Sequence, residues 1–167
     1  SGFGFTSESP ASYREMKQIG FTRLLALAET FVSPGSLVDI GSALGDMLLA
    51  ASRRGWKAAG IERNSYAVAR ANELIPNATF HGSLEDFNYP AATADLVPCV
   101  DVIEHLRQPT CAFRRVIELL RPGGCLLLTT VDVDGWQSRV CGHRWVHYHR
   151  DHLWYFNRQS LQGLAHQ

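Results

Sequence analysis

Short apolar runs alternate along this chain with stretches whose apolar residues recur at helical spacing, and this order constrains the fold more than any other feature. Strands that alternate with helices pair in parallel through crossover helices. The last run is almost continuously apolar, as expected where helices cover both faces of a sheet. The sequence therefore predicts an α/β fold with a doubly wound, mostly parallel sheet and helices on both faces. The predicted strands are Ser36–Ile40, Lys57–Ile61, Ala78–His81, Ala94–Val100 and Cys125–Val131.

Helix boundaries are predicted from residues that cap or interrupt a helix. A chain of 167 residues fits one domain. We divide it into a helical cap (1–35), a sheet core (36–131) and an aromatic, histidine-rich segment (132–167). The predicted helices are Ser12–Phe31, Asp46–Arg54, Ser65–Leu74, one that begins at Pro109 and ends at Arg121-Pro122-Gly123-Gly124, and Ser160–Ala165.

Charge, hydropathy and cysteine spacing exclude several classes of partner. Sixteen Lys and Arg balance sixteen Asp and Glu, which favours neither nucleic acid nor an anionic membrane surface. The apolar runs are far shorter than the roughly 20 residues of a membrane-spanning helix, and we expect no secretory signal. The cysteines form no close pair, so free thiols in a reducing, cytoplasmic setting are expected. A small-molecule partner is favoured.

A turn with the sequence VDIGSALGD (residues 38–46) follows the first strand, where ligands bind in open α/β sheets. A dinucleotide fingerprint that starts at Gly41 would need glycine at the positions of Ala43 and Asp46. Asp39 and Asp46 would also repel a pyrophosphate, whereas they suit a cationic ligand head. An NAD-dependent oxidoreductase is therefore the less favoured alternative.

Glu62 closes the second strand about 20 residues after the glycine turn. A carboxylate at this place can accept hydrogen bonds from both ribose hydroxyls of an adenosine. An exposed, functionless Glu is the ordinary alternative, but the ordered spacing of turn and acid within one βαβ unit favours an adenosine-type ligand.

Six motifs occur in a fixed order: VDIGSALGD (38–46), GIE (60–62), GSLED (82–86), DLV (95–97), DVIEHL (101–106) and LRPGG (120–124). With them the chain resembles the class I S-adenosylmethionine (SAM)-dependent methyltransferases, and among these the group that includes the ubiquinone-biosynthesis O-methyltransferases. The resemblance runs from about Leu37 to Leu164. It implies a Rossmann-like fold, SAM as cofactor with S-adenosylhomocysteine as product, and methyl transfer to a small-molecule acceptor, with oxygen favoured as the methylated atom.

The resemblance also implies roles for individual residues. The turn would hold the methionine end of SAM, Glu62 the ribose, and Arg63 would flank the adenine. The full set of implied cofactor residues is Asp39, Gly41, Ser42, Ala43, Gly45, Glu62, Arg63, Ser83 and Leu84 at the adenine edge, and the backbone of Cys99, Val100 and Asp101 along the methionine moiety.

Two residues depart from the family pattern. Ala43 stands where glycine is usual, which adds a methyl group near the ligand. Ser83 stands where Asp is frequent, and a hydroxyl accepts from an adenine amino group without charge-assisted strength. Glu85 is the expected compensating group. These departures keep open a second function, a catalytically silent SAM-binding or scaffolding module.

The segment 132–167 follows the fifth strand, where the family places its acceptor lid; we call it the acceptor-side segment. Its aromatic and imidazole groups would suit an aromatic or sugar-like acceptor, although tryptophans more often serve packing. His105, after strand four, is the first candidate for the proton acceptor, and His149 and His152 qualify if the segment folds over the site. The segment contains Trp136, Trp145, Trp154, His143, His147, His149 and His152.

Two groups of neighbouring residues have ligand types that could hold a divalent ion. One is Asp101 with Glu104 and His105, and some ubiquinone-pathway relatives look metal-dependent at a similar cluster. The other is His147 with His149 and His152, a weak signal. We favour the alternative that Glu104 and His105 cap the next segment and wall the site, so no metal ligand is assigned.

The resemblance implies a further strand pair beside strand five, and this pair lies beyond the sequence given. Without it, Cys125–Val131 would be an apolar edge strand with unpaired backbone groups. We expect either a homodimer through this edge or a truncated natural domain.

Overall fold

The computed structural model describes residues 11–165, with side chains from Tyr13 onward. The predicted helical cap before residue 11 lies outside the described residues. Two 3-10 turns, Ile103–His105 and Gly142–Arg144, accompany the regular elements. The α-helices and β-strands, in chain order, are α1 (Ala11–Ala28), β1 (Ser36–Ile40), α2 (Asp46–Arg53), β2 (Lys57–Glu62), α3 (Ser65–Leu74), β3 (Thr79–His81), β4 (Ala94–Val100), α4 (Pro109–Leu119), β5 (Leu120–Thr129), α5 (Trp136–Cys141) and α6 (Arg158–Ala165).

The five strands form one parallel sheet in the order β3-β2-β1-β4-β5. This confirms the predicted α/β class and the parallel pairing. The strand order reverses between β1 and β4, and the carboxyl ends of both strands meet at one edge of the sheet. Such a switch point opens a crevice in which α/β proteins bind ligands.

Two apolar layers cover the two faces of the sheet. Neighbouring residues of β1 point to opposite faces, because strand side chains alternate. Leu37 packs with Leu25 of α1 and Leu48 of α2, whereas Val38 belongs to a cluster that includes Leu119 of α4. Helices thus lie on both sides, as the doubly wound prediction requires.

The start of β5 differs from the prediction. Arg121-Pro122-Gly123-Gly124, predicted to end a helix, belongs to β5, which begins at Leu120 directly after α4. Ala94 pairs with Leu120 and Leu96 pairs with Cys125, so four residues bulge out of the ladder. Pro122 has no amide hydrogen for pairing and Gly123 adopts a φ of 78°, which explains the bulge. β5 also ends earlier than predicted, at Thr129, and leaves Val131 outside the strand.

The outer side of β5 carries no strand partner among residues 11–165, where β5 pairs with β4 alone. An isolated bridge between Asp132 and Phe156 joins the start of the acceptor-side segment to its later part. Within the described part of the chain, no helix has the length and apolar character needed to cross a membrane.

Candidate cofactor and acceptor site

A cavity of about 1450 Å³ opens at the carboxyl ends of the strands. Its walls come from the turn after β1, the ends of β2 and β5, the loops after β3 and β4, helix α1 and the acceptor-side segment. The volume exceeds the range of about 300–1000 Å³ that is typical for a site with one small ligand. The cavity is therefore large enough for a cofactor and a second molecule.

The turn after β1 has a left-handed backbone at three positions, with φ of 72° at Gly41, 46° at Ala43 and 82° at Gly45. The amides of Gly41 and Ser42 both donate to the Ile61 carbonyl, at 2.9 and 3.0 Å. A Cβ at Gly41 would lie 2.6 Å from a methyl carbon of Val102. Gly41 is therefore required by conformation and by space, whereas Ala43 holds a conformation that costs an L-residue about 1 kcal/mol or more.

Two carboxylates face the cavity at the ends of β1 and β2. Asp39 is buried, and burial followed by the charge of Glu62 raises its pKa well above the ordinary value. Glu62 accepts hydrogen bonds from the amides of Ala43 (3.0 Å) and Asn64 (2.7 Å). A carboxylate has about four acceptor positions, so Glu62 retains capacity for ligand hydroxyls. This end of the cavity favours a ligand with positive charge and vicinal hydroxyls.

The predicted adenine edge also lines the cavity, with Arg63, Ser83 and Leu84. The Ser83 hydroxyl donates to Asp86 at 2.6 Å, and the Ser83 amide donates to the same oxygen at 3.3 Å. The hydroxyl bond from Ser83 is the main reason that the pKa of Asp86 is lowered. The carboxylate that holds Ser83 is therefore Asp86, and the hydroxyl keeps its lone pairs for an incoming donor. Glu85, the expected compensating group, also lines the cavity.

Two predicted cofactor residues do not line this cavity. Gly45 is buried against α3, where an added Cβ would lie 3.0 Å from the Cβ of Ala71. Cys99 belongs to the apolar core, and burial raises the pKa of its thiol to about 12. Val100 is the last residue of β4 and Asp101 follows it, and both line the cavity. The Cys99 side chain faces the core instead. Cys99 is therefore a core residue.

Asp101 has a φ of 54° and is joined to the end of β5. Its carboxylate accepts from the Thr129 hydroxyl at 2.9 Å, and its amide donates to the Thr129 carbonyl at 3.1 Å. These bonds fix the start of the loop after β4 at the mouth of the cavity.

Four histidines gather at the other end of the cavity: His105, His147, His149 and His152. The ring of His152 lies 3.8 Å from that of His149 and 4.8 Å from that of His105, measured between centroids. Burial, then the nearby imidazoles of His149, His105 and His147, lower the pKa of His152 to about 4. The three predicted catalytic histidines are therefore adjacent, and His152 is neutral at pH 7. His143 is exposed and does not line the cavity.

The tryptophans of the acceptor-side segment lie outside the cavity lining. Trp145 is buried against Tyr148 and Tyr155, and Trp136 is exposed. The indole of Trp154 donates to the Leu106 carbonyl at 2.8 Å. Trp145 thus serves packing and Trp154 anchoring, and the cavity is lined by imidazoles rather than by these indoles.

Glu104 is 1 % exposed, and burial raises the pKa of its carboxyl. Glu104, His105 and His152 each offer one ligand atom, and these atoms lie within 4.8 Å of one another. This group joins residues from the two separate sequence clusters and does not include Asp101. A divalent ion would fit such donors, and the sequence assigns no metal ligand here.

Helix α1 contributes cavity residues that sequence reasoning missed, among them Lys17, Phe21 and Leu24. The Gln18 side chain donates to the Asp46 carbonyl at 2.8 Å, which holds α1 across the start of α2. The i, i+4, i+7 spacing of the three residues marks one helix face and could have identified them.

The family comparison matches residues 13–167 to a model described as a methyltransferase domain. The mitochondrial ubiquinone biosynthesis O-methyltransferase of Schizosaccharomyces pombe is 29% identical over 123 residues, covering 66% of this chain and 44% of that protein. The corresponding enzyme of Aeromonas salmonicida is 28% identical, covering 58% and 43%. The chain thus spans less than half the length of these curated relatives.

Among solved structures, a SAM-dependent methyltransferase from Archaeoglobus fulgidus superposes with a TM-score of 0.73 at 14% identity, covering 92% of this chain and 67% of that one. At this identity the likeness shows the fold, and it confirms the Rossmann-like architecture. The family match covers most of the chain, from Tyr13 onward. The chain therefore belongs to the methyltransferase domain family, as a class I domain whose cofactor is SAM.

Proposed function

We propose that this domain transfers the methyl group of SAM to a hydroxyl oxygen of a small-molecule acceptor. The observation that carries the proposal is one cavity with two chemically different ends. Asp39 and Glu62 bound one end, and the cluster of His105, His149 and His152 bounds the other. A site of this kind can hold a cationic cofactor beside a neutral acceptor and a proton-accepting group.

The chain's residues fit the cofactor. Asp39 would hold the ammonium group, Glu62 the ribose hydroxyls, and the left-handed turn allows close approach of the backbone. SAM supplies a methyl group already activated by its sulfonium, so the protein mainly orients the reactants and takes up a proton. The proposed cofactor residues along this wall are Asp39, Gly41, Ser42, Ala43, Glu62, Arg63, Ser83, Leu84, Val100 and Asp101.

His105 is our first choice for the proton acceptor. A general base works best when its pKa lies near the working pH, and the low pKa of His152 makes that imidazole a weak base. His105 belongs to the 3-10 turn just after β4, where the resemblance puts the reacting methyl group. His149 is the second choice.

Oxygen is proposed as the methylated atom because of the similarity to ubiquinone biosynthesis O-methyltransferases. The alternative of a catalytically silent SAM-binding module is favoured by one observation, the unusual φ of 46° at Ala43. Strain at this turn could weaken cofactor binding or tilt the cofactor.

The proposal is tested with a mass-spectrometric screen of hydroxyl-bearing acceptors in the presence of SAM. With an accepted substrate, His105→Ala should lower turnover by about 10²–10⁴-fold and leave the calorimetric affinity for S-adenosylhomocysteine nearly unchanged. His143→Ala, an exposed histidine outside the cavity, is the matched control. Binding without turnover on every acceptor would support the silent module, and binding of NAD without binding of SAM would overturn the cofactor assignment for this chain.

A further inference from the structure

We propose that Trp154 is a positioning residue for His105, because it fastens the acceptor-side segment to the loop after β4 and so holds the Asp151 carbonyl on the His105 ring. In this arrangement Nδ1 of His105 carries the ring proton and Nε2 is the atom that accepts the proton of the acceptor. The inference rests on the proposed role of His105 and names how that role is prepared.

The tautomer follows from one contact. Nδ1 of His105 lies 2.7 Å from the backbone oxygen of Asp151. A carbonyl oxygen can only accept a hydrogen bond, so Nδ1 must be the donor. A neutral imidazole has one ring proton, and its lone pair is therefore on Nε2. The backbone of the acceptor-side segment thus decides which nitrogen of His105 can take up a proton.

Hydrogen bonds on both sides of His105 hold that carbonyl in place. The amides of Leu153 and Trp154 donate to the Glu104 carbonyl, at 2.8 and 3.2 Å. The indole N–H of Trp154 donates to the Leu106 carbonyl at 2.8 Å. Hydrogen bonds therefore join the residues immediately before and after His105 to Leu153 and Trp154, which closely follow Asp151. These bonds fix the Asp151 carbonyl opposite the His105 ring.

The indole of Trp154 acts through its N–H rather than through burial. Trp154 is 44% exposed, whereas Trp145, which packs in the same segment, is 5% exposed. The Nε1 of Trp145 has no hydrogen-bond partner among the described residues. A phenylalanine at position 154 would preserve most of the contact area and remove only the donor to Leu106.

Nuclear magnetic resonance on this chain of 18.6 kDa tests the tautomer of His105 and the fastening by Trp154 without an assay of activity. The ¹⁵N shifts of the His105 ring, assigned with His105→Gln, should show the Nδ1–H tautomer at a pH where the ring is neutral. In Trp154→Phe, hydrogen exchange of the Leu153 amide and of the His105 Nδ1 proton should become about 2- to 10-fold faster, the factor that one neutral hydrogen bond contributes. Trp136→Phe, an exposed tryptophan of the same segment, should leave both rates unchanged.

The Nε2–H tautomer at His105 would overturn the assignment of the accepting nitrogen. Equal exchange rates in Trp154→Phe and the unmodified chain would overturn the fastening role. With an accepted substrate, Trp154→Phe should also lower kcat while the affinity for S-adenosylhomocysteine stays constant, and a loss of affinity instead would contradict the positioning role. Normal turnover in His105→Ala would refute the proposed base, yet the tautomer and exchange results would stand, so the two failures are distinguishable.

Discussion

The carboxylate of Glu62 accepts a hydrogen bond from the amide of Ala43 at 3.0 Å, which ties the end of β2 to the turn after β1. A second bond, from the amide of Asn64 at 2.7 Å, orients the same carboxylate from its other side. One acidic side chain thus stabilises the turn and faces the cavity. The proposed ribose-binding group is held in position before any ligand binds.

Glu62→Gln tests this group with little change of shape. We expect the affinity for S-adenosylhomocysteine to fall by about 1.5–3 kcal/mol, because hydrogen bonds to a charged acceptor are lost or weakened. Isothermal titration calorimetry measures the change. Glu118→Gln, on the exposed side of α4 and outside the cavity lining, is the control. Equal affinity in both variants would remove Glu62 from the ribose site.

Ala43→Gly is expected to raise stability by about 1 kcal/mol, since glycine adopts the φ of 46° without the steric cost of a Cβ. Ala92, which has a φ of 55° in an exposed loop outside the cavity lining, provides a matched variant. Both substitutions should raise the urea midpoint, but Ala43→Gly alone should also strengthen SAM binding. A gain in affinity from Ala92→Gly, or weaker binding in Ala43→Gly, would show that strain in the turn does not limit cofactor affinity.

The fold was readable from the sequence wherever short-range signals agreed. β1 and β4 match their predicted bounds, as does α3, because apolar runs and capping residues mark both ends. The start of β5 could not be predicted from the sequence. Proline and glycine usually end a helix or strand, whereas Pro122 and Gly123 form a bulge within β5. A bulge depends on pairing with a distant strand, and local propensity does not contain that information.

The site was predictable in its parts but not in its assembly. The turn, Glu62 and the histidines were singled out by residue type and spacing, and the apolar run around Cys99 indicates that its side chain is buried. Two features depend on tertiary contacts alone: the approach of Glu104 to His152 and the bond from His105 to the Asp151 carbonyl. Neither follows from spacing, because 46 residues separate His105 from Asp151.

Asp95 gives the chain a pH-dependent contribution to stability. Burial alone would raise its pKa, but hydrogen bonds from the amide and hydroxyl of Ser36 and from Arg121 outweigh burial and lower it. A lowered pKa in the folded state means stability that is fully present above the unfolded value of about 3.9 and is lost as the pH falls through the folded value. Asp95→Asn should therefore cost about 1–2 kcal/mol at pH 7 and progressively less below about pH 4.

Urea unfolding at several pH values measures this difference. Glu73→Gln removes the exposed ion pair with Arg70 and is the control, for which we expect a change below about 0.5 kcal/mol. A penalty for Asp95→Asn that is the same at pH 7 and at low pH would show that the carboxylate charge is not the stabilising feature.

The outer edge of β5 leads to the last prediction, self-association of this chain. Among the described residues β5 pairs with β4 alone, and its backbone groups on the other side are available for a strand of a second copy. The bulge at 121–124 interrupts regular pairing at the start of the strand, so the pairing segment is Cys125–Thr129. We expect sedimentation velocity to show a dimer whose fraction rises with protein concentration. Hydrogen exchange of the amides in 125–129 should slow over the same concentration range. A monomer at every concentration, with unchanged exchange along β5, would contradict pairing through this edge.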